Sequence, residues 1–306
     1  MALATSSREI WSALKGLLCL HKPSGLAMQD LLKTVNDKII KELNLKNPEY
    51  AERLEKIHQI QKHSGLVNYS SHPYVLGDGF TDDDVIFEPV NNLSEFTSGL
   101  VLVGVNDPEI REQIRTLVLP RQYIMQIELG IATDNGFKDG KVVERSTWTH
   151  LKSRPQLLEK NLAQIRSSHQ RDAFRQAGVN LRSKQAYQLA VQGLVRPTRE
   201  HQGATLLYGL DCVHYSPPHI SLKVTCLNES PIYLAEFTSE LGLKLRTNAV
   251  LNSLQLVRYG PFGVDTNPLL LKHVDLQSVI DNIHKNSKYL DLLSEQRDQT
   301  LNWTNI

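Results

Sequence analysis

The sequence predicts an α+β fold around a mostly antiparallel sheet with flanking helices. Two observations carry this. Alternating or β-branched runs are interleaved with runs of helical spacing, without the regular strand–helix–strand order of a parallel sheet. The 306 residues, 41% of them hydrophobic, are enough to bury a large core. No internal repeat or low-complexity tract interrupts the pattern.

The elements follow in order. Residues 1–15 carry Arg8 and Lys15 against one acid, Glu9, and read either as a weak mitochondrial presequence or as an ordinary first helix. GLLCL at 16–20 is a short strand, and HKPSG at 21–25 turns on its Pro and Gly. Met28, Leu31, Leu32, Val35, Ile39 and Leu43 share one helical face, which predicts a helix over 28–43, with a more charged one over 47–62. The Gly, Asp and Ser clusters of 64–92 predict a loop or insertion. An uncharged run at 99–105 is a buried strand. Asp107-Pro108-Glu109 then starts a helix, with Asp as N-cap and Pro in the first turn. Strands are expected at 121–131 and 141–144 around a turn-rich 133–140, and helices at 155–166 and 183–194. Strands at 205–215 and 220–226, a helix at 231–243, a strand at 249–259 and a closing helix from Pro268 complete the chain.

Charge is unevenly placed. The net charge is +1, yet residues 64–110 hold eight acids and no Lys or Arg, while residues 152–199 hold ten basic residues and two acids. A local excess of that size is the footprint of a phosphate-backbone binder, or of two helices with solvated basic faces. Cys19, Cys212 and Cys226 are far apart and form no Cys-x-x-Cys pair, so neither a zinc site nor a disulfide framework is indicated, and no metal or cofactor is expected. No apolar run approaches the length of a membrane span.

The stretch NNLSEFTSGLVLVGV, residues 91–105, places a polar loop directly before the core strand, a common position for catalytic groups. Its candidates are Ser94, Glu95 and Thr97. Other short stretches accompany it: GLLCLHKPSGL with Lys22 and Pro23, RQYIMQIELGIATDNGFKDGKVVE with Tyr123 and Leu129-Gly130, SKQAYQLAVQGLVRP with Tyr187, VTCLNESPIYLAEFTSELG with Tyr233 and Leu241-Gly242, and LQLVRYGPFGVD with Phe262.

In this order and spacing, the set resembles the TruB family of pseudouridine synthases, and most the short mitochondrial branch found in animals. The resemblance covers residues 16–265. It implies a pseudouridine synthase catalytic domain with an RNA-binding cleft across its sheet. The closing helical extension, 266–306, would stand where most bacterial members carry an RNA-binding PUA domain. The implied reaction isomerises a uridine flipped out of its stack. One Asp, in a loop of the form Leu-Asp-x-x-Ala/Thr-Ser/Thr-Gly, is its essential carboxylate. A Tyr on the next strand packs on the base, and a second Tyr and an Arg follow later, the Arg paired with the Asp.

Carried over residue by residue, the base-packing Tyr falls on Tyr123 and the second on Tyr233. The Asp position holds Ser94 and the Arg position holds Ala235, so both members of the ion pair are replaced. The resemblance therefore implies an RNA-binding pseudoenzyme of RNA modification or processing in the mitochondrial matrix. The alternative is an active synthase acting on mitochondrial mRNA, tRNA or rRNA through Glu95, one position on. Lys22 is grouped with the uridine site and expected to brace its loop. Arg182, Lys184, Arg196 and Arg199 are the expected phosphate contacts. Tyr187 and Phe262 are expected in the core or the cleft wall. RNA is the expected partner, with mitochondrial RNA-processing or ribosome-assembly proteins beside it.

Overall fold

A computed structural model describes residues 7–64, 75, 77, 79–117, 119–192 and 205–301. The chain divides into two compact units. The first comprises 1–95, 100–117 and 264–306, and the second 96–99 and 118–263.

In the first unit, helix α1 (Ser7–Ala13) leads into strand β1 (Gly16–Lys22), whose residues are nearly all buried. Helices α2 (Met28–Leu45) and α3 (Pro48–Ser64) follow. The predicted helical face of α2 is the observed one: Leu31, Val35, Ile39 and Leu43 are buried. Strand β1 runs two residues past its predicted end, so Lys22 closes a strand instead of sitting in the turn. The described part of 64–92 is tied to its neighbours. Asn44 accepts from the Phe80 amide at 2.6 Å and donates to its carbonyl at 2.9 Å. The Trp11 indole donates to the Asp84 carbonyl. Strand β2 (Phe87–Pro89) pairs antiparallel with the end of strand β3 (Thr97–Val105).

Helix α4 (Pro108–Thr116) has its proline in the first turn, as expected. Asp107 is its N-cap residue, as expected, without a side-chain cap bond; its carboxylate lies 3.7 Å from the Lys15 ammonium. The segment after residue 265 holds strand β11 (Leu269–Leu270), parallel to β1, and its helix starts at Leu276 and not at Pro268. Two asparagines fasten that helix, α8 (Leu276–Leu301), to β1: Asn282 accepts from the Cys19 amide, and Asn286 donates to the Leu17 carbonyl.

In the second unit, strand β4 (Arg121–Leu129) lies between β8 (His219–Leu227) and β9 (Ala249–Tyr259), antiparallel to both. Strand β7 (Leu206–Ser216) pairs with β8, and β10 (Phe262–Gly263) pairs with β9. Residues Thr97–Gly99 of β3 run parallel to Leu254–Leu256 of β9. A small separate ladder joins β5 (Ile131–Thr133) to β6 (Val142–Arg145). Helices α5 (Pro155–Gln176), α6 (Lys184–Gln192) and α7 (Pro231–Lys244) complete the unit. Helix α5 runs ten residues beyond the predicted end because Ala173 and Phe174 bury against Ala186 of α6 and Leu206 of β7. Among the described residues, five of the seven registered pairings in the main sheet are antiparallel, as the α+β reading requires.

Candidate functional site

The loop before β3 is built from backbone bonds. The Asn91 side chain imitates a strand residue, donating to the Leu100 carbonyl and accepting from the Leu102 amide. Four residues on, the Glu95 carbonyl accepts from the Gly25 amide at 2.9 Å and from the Lys22 ammonium at 3.2 Å. Lys22 also donates to the Pro23 carbonyl at 3.1 Å, and it is fully buried. Burial pushes the Lys22 pKa down, against the nearby Glu95 carboxylate, which raises it. The bracing role expected of Lys22 is thus the geometry found: its charge is spent on two loop carbonyls.

Ser94 and Glu95 both carry exposed side chains in the first unit. Thr97 is no loop residue: it is fully buried and already paired in β3. The Thr-Ser-Gly entry has a steric reason. Gly99 has φ +118, and a Cβ there would collide with the Leu256 backbone.

In the second unit the sites implied by the resemblance lie on β4 and α7. Tyr123 is 5% exposed. Its hydroxyl donates to Glu229 Oε1 at 2.7 Å, and Arg121, two residues earlier on the same strand face, reaches that oxygen at 3.0 Å. The Glu229 side chain is 1% exposed. The Arg121 guanidinium also lies over the Tyr259 ring, 4.8 Å from its centroid. Burial opposes the charge on Arg121, yet Glu229, with Tyr259 and Tyr123, more than reverses this and raises its pKa. Burial, then the Glu229 carboxylate, pushes the Tyr123 phenol well above its ordinary range, so its proton stays in place. Cys226, buried beside the pair, is raised by the same two causes. The sequence reading missed Glu229 and Arg121. The available signal was the Arg-x-Tyr spacing on a strand, opposite a lone acid just ahead of a Ser-Pro helix start.

Helix α7 begins there. Ser230 caps it by accepting from the Tyr233 amide at 3.1 Å, and Pro231 fills the first turn. Tyr233 is half-buried, and burial raises its pKa to about 12. One turn in, Ala235 is 2% exposed. Its Cβ faces Gly136, φ +74, where an added Cβ would stand only 3.1 Å away. That glycine is held by Phe137, whose amide donates to Asn135 Oδ1, and by the Leu251 amide, which donates to the Gly136 carbonyl. Phe137 in turn meets Phe96 edge to face at 4.7 Å, immediately after Glu95 in the chain. A turn of the chain therefore occupies the space over position 235.

Of the basic candidates, Arg182 and Lys184 are exposed at the start of α6, while Arg196 and Arg199 lie outside the described residues. Phe262 is fully buried, as expected. Tyr187 is not in the core: it is 73% exposed on α6, because Ala186 and Leu189 supply that helix's packed face. Among the described residues no cluster of His, Cys, Asp or Glu is arranged to hold a metal ion.

Comparison with known proteins places this arrangement. The model of the TruB family pseudouridylate synthase N-terminal domain matches residues 92–232. The mitochondrial pseudouridylate synthase TRUB2 of Mus musculus is 30% identical over 88% of this chain and 83% of its own length. TRUB2 of Homo sapiens is 30% identical over 89% and 84%. The tRNA pseudouridine synthase B of Dehalococcoides mccartyi is 28% identical over 49% of this chain and 47% of that protein. Among solved structures, the crystal structure of the archaeal box H/ACA sRNP Nop10-Cbf5 complex gives a TM-score of 0.42 at 12% identity, covering 90% of this chain and 59% of that one.

Proposed function

Because the chain belongs to the TruB family of pseudouridine synthases, we propose that it is an RNA-binding member of the mitochondrial branch that no longer isomerises uridine. The observation that carries the reading is the pair of replaced positions and what surrounds them. Ser94 stands where the resemblance calls for the catalytic Asp, and Ala235, where it calls for the paired Arg, is sealed beneath Gly136. A serine needs an adjacent base to attack a sugar. Glu95 supplies a carboxylate one position late. Moving it into register would break the Gly25 and Lys22 bonds to its own carbonyl, which fix the loop at that residue.

The remaining apparatus suits binding. Exposed Arg182 and Lys184 belong to the segment that concentrates the chain's positive charge, and phosphate contacts supply affinity without requiring chemistry. The names of the animal relatives support a mitochondrial location.

The deciding experiment is tritium release from 5-tritiated uridine in mitochondrial tRNA, mRNA and rRNA. No release above background is expected. Turnover that Glu95→Gln abolishes would overturn the reading in favour of an active synthase. RNA affinity is expected to fall at least ~10-fold between 50 and 200 mM salt, by counterion release. An affinity independent of salt excludes the phosphate contacts.

A further inference from the structure

Away from Ser94 and Ala235, the second unit holds a cavity of about 270 Å³ between α5 and α7. It is lined by Gln164, Ser168, His169 and Arg171 of α5 and by Glu240 and Lys244 of α7. Its charges are opposed but unspent. Neither Arg171 nor Lys244 forms an ion pair with a described residue, and Glu240 pairs with neither of them. The neighbouring charges are engaged: Arg175 holds Asp172 at 3.0 Å, and Arg166 holds Asp211 at 3.4 Å. Burial lowers the pKa of His169, against Asp172 and Glu240, which raise it.

Two cations and one carboxylate, none ion-paired with another described residue, leave the slot with a net positive end and an acceptor that a bare anion does not satisfy. It fits a ligand with an anionic end and a donor edge. Two adjacent N–H donors match the two oxygens of a carboxylate. Among the four RNA bases, only guanine presents such a pair on its Watson–Crick edge, at N1 and N2. Adenine, cytosine and uracil each place an acceptor beside their donor. We propose that this cavity binds one unpaired guanine nucleotide, with its phosphate between Arg171 and Lys244 and its N1–N2 edge on Glu240. Ser168 and Gln164 offer further hydrogen bonds to ribose or base.

The inference names a ligand subsite that rests on the RNA-binding reading only for the nucleotide's source. The test is ligand-observed NMR titration of the full chain with guanosine, adenosine and uridine 5′-monophosphates and inorganic phosphate, following the His169 ring signals. Guanosine monophosphate is expected to bind at least tenfold tighter than the other three. Arg171→Glu and Lys244→Glu, both at exposed positions, should each weaken it at least tenfold. Glu240→Gln should erase the preference for guanine while phosphate-dependent binding survives. Equal binding of all three nucleotides, or indifference to Glu240→Gln, overturns the proposal. Competition by a G-containing single-stranded RNA below the nucleotide's own concentration assigns the source to RNA, and its absence assigns it to a free nucleotide. The Arg182 and Lys184 contacts are tested separately by salt dependence, so either idea can fail alone.

Discussion

Two carboxylate–Arg pairs can be compared in this molecule, one observed at Arg121 and Glu229 and one that the proposed function reads as replaced at Ser94 and Ala235. At Arg121 and Glu229 the pair is kept. One carboxylate oxygen takes both the guanidinium at 3.0 Å and the Tyr123 hydroxyl at 2.7 Å, with the carboxylate side chain 1% exposed. At Ser94 and Ala235, the positions the proposed function assigns to the other pair, neither side chain is charged, and Gly136 packs on Ala235. The difference teaches that a buried pair is held as a unit. Removing one partner strands the other charge, at a cost of about 3–5 kcal/mol, whereas removing both and repacking is nearly neutral. On the proposed reading the joint replacement is one event in energetic terms, with Gly136 packed against the position the Arg would take.

The largest expected effect comes from breaking the retained pair. Glu229→Ala leaves Arg121 without its carboxylate and the Tyr123 hydroxyl without its acceptor. Urea unfolding should show a loss of about 3–5 kcal/mol. The double variant Arg121→Met with Glu229→Met should recover much of that loss, because no charge is then stranded. A double variant as unstable as the single one would mean that the pair is a net contributor and the comparison is mistaken.

The next effect comes from rebuilding the lost pair. Ala235→Arg drives a long side chain into the Gly136 turn and should cost about 1–3 kcal/mol from overpacking alone. Adding Ser94→Asp should not restore tritium release, because the turn over position 235 stays in the way. Release from the double variant would show that the turn yields, and that the loss of chemistry lies in the two side chains alone.

Much of this was legible in the sequence, and the boundary of legibility is physical. The buried face of α2, the strand Ala249–Tyr259 and the proline-started helices follow from periodicity and local backbone rules, and they were found. The assignment of Ser94 and Ala235 rests on motif spacing alone and belongs to the proposed function. Glu229 was not found, because its partners Arg121 and Tyr123 are over a hundred residues away and meet it only when β4 pairs with β8. The exposure of Tyr187 escaped for a related reason. Of the two places expected for it, core or cleft wall, the core is excluded only once the buried face, here Ala186 and Leu189, is known. The role of Gly136 was invisible because a close approach of backbone to helix leaves no pattern in composition.

The smallest effect reports on the helix that carries both histories. Helix α7 starts beside Glu229 and bears Ala235 one turn later, with Tyr233 between them. Burial lifts the Tyr233 pKa from 10.0 to about 12, with Cys226 and Glu240 adding to the shift. In the folded protein its proton is held to higher pH than in the unfolded chain. The native state thus binds more protons between pH 10 and 12, and stability falls as pH rises through that window, being fully present below pH 10. Phenolate absorbance at 295 nm should show a late-titrating component near pH 12 that Tyr233→Phe removes, and the variant should lose less stability over that window. Glu229→Ala should lower the Tyr123 titration far more than that of Tyr233, since only Tyr123 donates to the carboxylate. If both tyrosines shift equally, Glu229 acts on the whole helix start, and the Arg121–Glu229 pair shapes the surroundings of Ala235.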